Sequence, residues 1–299
     1  MANTSNNIPI FPLNIRTICL LKIIGNTNAC LKPFRQAFPS AAQPVENKKY
    51  IIPPKNHLTS PRRHSAANPP PLPVPYHNLT TAMPPKLIIF DWDGTLADTT
   101  FPIILTMQHA FAECGLDIPA EAAVRPLIGK SLAGIIHTLA PDLPAERIEH
   151  IAYVYTRSYL NPNNQNMKLF SDAVACLNTL KTQGYWLAVA TGKGRTGLNQ
   201  AIAQTGTAGY WLATRCASEC PPKPAPDMVW EICDELGLTP AEALVVGDTV
   251  YDLDMAANAK ARAVGVATGA HTIDQLQSAP HLAILKCLSE LPGFLDTLK

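Results

Sequence analysis

From residue 83 onward, short apolar runs of strand length alternate with longer segments whose apolar residues recur at helical spacing, and this alternation restricts the fold more than any other feature of the sequence. Parallel strands cannot be joined by tight turns. They need crossovers long enough to hold a helix, so the pattern implies an α/β fold: a Rossmann-like parallel sheet with helices on both faces. The runs 87–91, 185–191, 211–214, 243–248 and 263–268 are the predicted strands. Helices are predicted over 172–183, with Ser171 as N-cap and Gly184 as terminator, and over 195–204, 226–236 and 250–259.

More than 90 residues separate the first predicted strand from the second, too many for a simple crossover. Apolar spacing predicts four helices there, over 100–114, 119–128, 131–139 and 144–160. The expected organisation is a core built from residues 83–99 and 169–299, with a helical cap subdomain over 100–168. A cap inserted after the first strand overhangs that strand's carboxyl end, where open α/β sheets place their ligands.

The first 82 residues differ in kind. They hold 13 prolines, one glycine and nine Lys or Arg against the single acid Glu46, whereas residues 83–299 hold fifteen Lys or Arg against twenty-two acids. The net charge of +1 averages over that division, and neither a nucleic-acid nor a membrane partner is expected. The apolar stretch TICLLKIIG, residues 17–25, is interrupted by Lys22 and is far too short to span a bilayer. The segment reads as a disordered, proline-rich leader or as an extension upstream of a true start at Met83. A cleaved targeting leader is the competing reading. Eight cysteines show neither a disulfide framework nor paired zinc spacings, so reduced thiols and a cytoplasmic location are expected. Nothing in the pattern specifies an oligomeric state.

The first predicted strand ends in Asp91-Trp92-Asp93-Gly94-Thr95-Leu96, two carboxylates placed where the chain must turn. The second ends in Thr191-Gly192-Lys193, a proline-flanked lysine follows in Pro222-Lys223-Pro224, and the fourth strand ends in Gly247-Asp248-Thr249-Val250-Tyr251-Asp252. Taken singly, each has a plain structural reading as a cap, a solvated turn or a surface lysine. Together and in this order they resemble the haloacid dehalogenase-like superfamily, closely over about residues 86–268, and the helical insert is similar to that of its capped, phosphoglycolate phosphatase-like class.

The resemblance implies a phosphoric monoester hydrolase. Asp91 would be the nucleophile that forms an aspartyl-phosphate, and Asp93 the general acid and base. Thr191, Gly192 and Lys223 would hold the phosphoryl oxygens. Magnesium, a hard cation that takes oxygen ligands, would be bound by Asp91, Asp248 and the backbone carbonyl of Asp93, with Asp252 acting through water. An acid at Asp93 separates phosphate-transferring members from the dehalogenases. The expected partner is a small phosphorylated metabolite, with phosphoglycolate the leading choice, and Lys130 and Arg157 are the cap cations expected to meet an anionic group on it. A phosphosugar mutase shares the core motifs. From a different class, Gly192, Gly194 and Gly197 spell the G-x-G-x-x-G of a dinucleotide-binding turn, with Glu219 near the position of a ribose-binding acid. A catalytically inert interaction module would need none of these acids together.

The leader lacks the apolar periodicity needed to offset roughly 1–2 kcal/mol of backbone entropy per ordered residue. A chain starting at Met83 is therefore expected to melt at the full-length temperature and to release phosphate at the full-length rate. Loss of folding on that truncation would show that the leader packs on the remainder.

Overall fold

Leu87–Phe90 (β1) is wholly excluded from solvent, as a strand at the centre of a doubly covered sheet must be. The computed structural model describes residues 84–161 and 167–299; the expectations for residues 1–82 lie outside them. Around β1 run Trp186–Thr191 (β2), Ala213–Cys216 (β3), Ala243–Gly247 (β4), Arg262–Val266 (β5) and Ala283–Leu285 (β6). The sheet is parallel throughout, in the order β3-β2-β1-β4-β5-β6. Phe90 stands level with Val189 of β2 on one side and Val246 of β4 on the other, which brings three strand ends to one edge. The connections reverse direction between β1 and β4, and such switch points are where α/β sheets open a crevice.

The insert between β1 and β2 contains Thr100–Glu113 (α1), Glu121–Val124 (α2), Leu132–Leu139 (α3) and Ala145–Tyr159 (α4). These helices bury an apolar cluster of their own, with Met107, Val124, Ile136 and Ile151 at its centre. The helix predicted over 119–128 breaks into α2 and a 3-10 turn over Arg125–Leu127. Pro126 is the cause, because it has no N–H to continue the helical ladder.

Residues of β1 alternate between the two faces, as a period of two requires. Ile88 and Phe90 join the core beneath Ala173–Thr182 (α5) and Arg195–Thr205 (α6), whereas Leu87 and Ile89 join the core beneath Asp227–Leu236 (α7) and Val250–Ala259 (α8). Beyond β5 the chain adds the short helices Ile273–Gln277 (α9) and Leu291–Asp296 (α10). Among the described residues no helix is long and apolar enough to cross a membrane.

Three local expectations need correction. Asp172, not Ser171, occupies the N-cap of α5, and its carboxylate instead accepts the Ser289 N–H at 2.8 Å. The third strand begins two residues later than predicted, because Trp211 serves as a ring packed edge-on against Phe90 and Trp92. The sixth strand went unanticipated: it has three residues, only one of them buried, and so carries no periodic signal.

Candidate active site

The peptide N–H of Asp91 donates to the Val246 carbonyl at 2.9 Å, so the first residue beyond β1 is still held by β4. The chain then turns at Gly94, whose φ is +82°; a Cβ there would lie 2.3 Å from Asp248 Oδ2. Only glycine satisfies both demands. The turn delivers Asp93 to the cavity, where its Oδ1 accepts from the Thr99 hydroxyl at 2.6 Å.

Lys223 reaches the same point from the loop before α7. Its side chain is fully buried, and Nζ donates to Asp91 Oδ1 at 2.7 Å and to Asp252 Oδ1 at 2.6 Å. Burial alone would lower its pKa, but the two carboxylates outweigh burial and hold it above the usual lysine range. Asp252 is the third residue of α8, and its Oδ2 accepts from the Thr249 hydroxyl at 2.6 Å in a capping box. Asp248 precedes that helix, and it is fixed by Thr95 Oγ1 and by the Ala270 N–H, each at 2.8 Å.

Carboxylate oxygens of Asp91, Asp248 and Asp252 lie within 4.8 Å of one another. Burial, with Lys223 opposing and Asp252 and Asp93 adding to it, pushes Asp91 up to about 7. Burial and the charges of Asp91 and Asp252 likewise push Asp248 well above the carboxylate range. Asp91 Oδ2 is buried without a hydrogen-bond partner. Three buried acids facing one ammonium, with an orphaned carboxylate oxygen among them, form a donor set that fits a hard divalent cation.

The cap closes over Asp91 and Asp93 and leaves a cavity of about 60 Å³, with Lys223, Asp248 and Asp252 outside its lining. Since one water needs roughly 10–15 Å³ on this measure, the space suits a phosphate and few further atoms. Thr191, Gly192 and Lys193 line it from the core, and Lys130 and Tyr155 from the cap. Arg157 lies outside that lining, where it pairs with Glu113 on the cap surface. The lysine that sequence reasoning missed is Lys193, 2.9 Å from Asp93 Oδ1 and buried. Its one signal was its place directly after Thr191-Gly192 at a strand end.

The cap is seated by backbone contact. A Cβ at Gly192 would lie 2.7 Å from the Lys130 carbonyl oxygen and 2.8 Å from that of Gly129. The Pro126 carbonyl accepts from Tyr251 Oη at 3.0 Å. His271 Nδ1 accepts the Val250 N–H, which leaves the ring proton on Nε2, 3.0 Å from the same carbonyl. This packing removes the dinucleotide reading: the Gly192 turn is covered by the cap, and Glu219 is the ion-pair partner of Arg195.

Comparison with known proteins agrees with this geometry. The family described as haloacid dehalogenase-like hydrolase matches residues 88–266. The chain is 34% identical over 212 residues to a protein named probable phosphatase IndB from Dickeya dadantii, covering 69% of this chain and 92% of that one. It is 29% identical to pyrophosphatase PpaX from Bacillus velezensis (69% and 95% covered) and 28% identical to a phosphoglycolate phosphatase from Mannheimia succiniciproducens (62% and 86% covered). The crystal structure of a hydrolase from Pseudomonas syringae has the same fold, with a TM-score of 0.65 at 23% identity over 71% of this chain and 98% of that one.

A methyl group at Gly192 meets two backbone oxygens, neither of which can swing aside as a flexible side chain would. Gly192→Ala is expected to unseat the cap loop and to lower kcat/KM by about tenfold or more, with a smaller fall in Tm, since a misplacement near 1 Å can cost up to about a hundredfold. Unchanged kinetics would show that this contact does not position the cap.

Proposed function

The chain belongs to the haloacid dehalogenase-like hydrolase family as a phosphatase, and from that premise we propose that it hydrolyses a small phosphate monoester, with magnesium, through an aspartyl-phosphate on Asp91. The observation that carries this reading is Asp91 itself: a buried carboxylate at the cavity, one oxygen held by Lys223 and the other without a partner. Attack by Asp91 on phosphorus forms one P–O bond as the ester P–O bond breaks, and Asp93 gives its proton to the departing oxygen. Water then attacks the aspartyl-phosphate, Asp93 takes a proton from it, and release of phosphate restores Asp91. Thr191, the Gly192 N–H and Lys223 hold the phosphoryl oxygens as charge builds on them. Asp91, Asp248 and the Asp93 carbonyl would hold the magnesium, with Asp252 acting through water, and the ion when bound offsets negative charge on the phosphate.

The cavity of about 60 Å³ favours a compact substrate over a hexose phosphate that must reorient between two phosphorylations, which supports a hydrolase over a mutase. Phosphoglycolate is the leading substrate: it is compact, and Lys130 lines the cavity from the cap where a carboxylate could meet it. The described cysteines are all free thiols, which supports a cytoplasmic setting.

The reading is tested by phosphate release from phosphoglycolate, pyrophosphate, glucose 1-phosphate and p-nitrophenyl phosphate, with magnesium and with EDTA. Release from phosphoglycolate is expected with magnesium only; full activity in EDTA would overturn the metal assignment. Asp91→Asn is expected to lower kcat by about a thousandfold or more while leaving the fold intact, and an active variant would exclude the aspartyl-phosphate. Lys130→Ala is expected to lower kcat/KM for phosphoglycolate about 10- to 100-fold more than for p-nitrophenyl phosphate, the range of a lost charge-assisted hydrogen bond. Equal losses would remove Lys130 from carboxylate recognition.

A further inference from the structure

Lys193 is a buried cation that the steps above leave without a role. Its side chain is 7% exposed, and Nζ makes three contacts: 2.9 Å to Asp93 Oδ1, 3.2 Å to Tyr159 Oη, and 4.6 Å to the centroid of the Tyr159 ring. Asp93 belongs to the core, in the turn after β1, and Tyr159 is the last residue of the cap helix α4. Lys193 therefore joins the proton-transferring carboxylate to the cap. Tyr159 is a firm anchor, buried and stacked on Tyr155 with centroids 5.5 Å apart and planes 10° from parallel. Both the Lys193 and the Thr99 contacts fall on Oδ1 of Asp93, which leaves Oδ2 as the oxygen that exchanges a proton with substrate.

The geometry points to Lys193 as a positioning residue that aligns Asp93 for proton transfer when the cap is closed, with Tyr159 as its anchor on the cap. Lys193 and Asp93 both stand on the core, and Tyr159 Oη, brought by the cap, accepts a hydrogen bond from the same ammonium, so the seated cap holds the lysine that holds Asp93. Asp93 is thereby held in one orientation for proton transfer while the seated cap encloses the substrate.

The inference rests on the aspartyl-phosphate reading, and its test turns on leaving-group basicity. Acetyl phosphate and ethyl phosphate are alike in size, but acetate departs without a proton whereas ethoxide needs one. Single-turnover release of acetate and of ethanol, with magnesium present, isolates the first step. Lys193→Met is expected to slow ethanol release by about a hundredfold or more, within the range for general acid catalysis, and acetate release by less than about threefold. Tyr159→Phe, which keeps the ring and removes the hydroxyl, is expected to act in the same direction with a smaller effect, and carries the test if Lys193→Met does not fold. Equal slowing of both probes, or a change confined to KM, would overturn this role while leaving the phosphatase reading intact. A wild-type protein that cleaves neither probe nor any ester in the panel would overturn the phosphatase reading and this inference with it.

Discussion

The ammonium of Lys223, sealed between Asp91 and Asp252, is the interaction on which the rest of this site depends. Three carboxylates have been drawn together where water is excluded, and burying such like charges without a counter-charge is costly. Lys223 ties the tip of β1 to the first turn of α8 and fixes where the loop before α7 must run. Removing one partner of such a buried pair costs about 3–5 kcal/mol, so the arrangement is structural as well as chemical. The one ammonium does not complete it. Asp91 Oδ2 still lacks a partner and Asp248 is still pushed up, which is the electrostatic deficit a divalent cation would fill.

Around that centre the protein solves a second problem, enclosing a small anion without trapping it. The cap has an apolar cluster of its own, joined to the remainder through Ala270, which it includes, and through Met167, which packs on both this cluster and a sheet core. Its seat on the core also includes polar and backbone contacts: the Pro126 carbonyl shared by Tyr251 and His271, and the Gly129–Lys130 backbone pressed on Gly192. Contacts of this kind exchange readily for water, unlike a large apolar interface. The cap contributes Lys130 to the cavity lining and Tyr159 to the Lys193 contact.

Much of this was legible in the sequence where short-range rules apply. The central strands are continuous apolar runs because both faces are covered, and α8 spans the predicted 250–259 because Thr249 and Asp252 form a capping box at its start. Where tertiary contacts overrode local pattern, reading from sequence failed. Trp211 looks like the start of a strand but is used as a packed ring, Ser171 looks like a cap but is displaced by a residue bound to the distant Ser289, and β6 is held by pairing with β5 without a pattern of its own.

The site divides in the same way. The sequence by itself determined which polar side chains follow which strands, because a parallel sheet carries every strand end that precedes a crossover helix to one edge; this placed Asp91, Asp93, Thr191 and Asp248 together. Lys223 was named from its motif, and only the tertiary structure decided where the other cations lie. Lys130, Arg157 and Lys193 are all cations on long stems, yet Lys130 lines the cavity with its ammonium 5.4 Å from the Tyr251 ring centroid, Arg157 is paired with Glu113, and Lys193 bridges Asp93 and Tyr159. The physical reason is reach: a lysine or arginine stem is long and flexible, so its charged end is placed by the packing of elements far apart in the chain and not by the residues beside it.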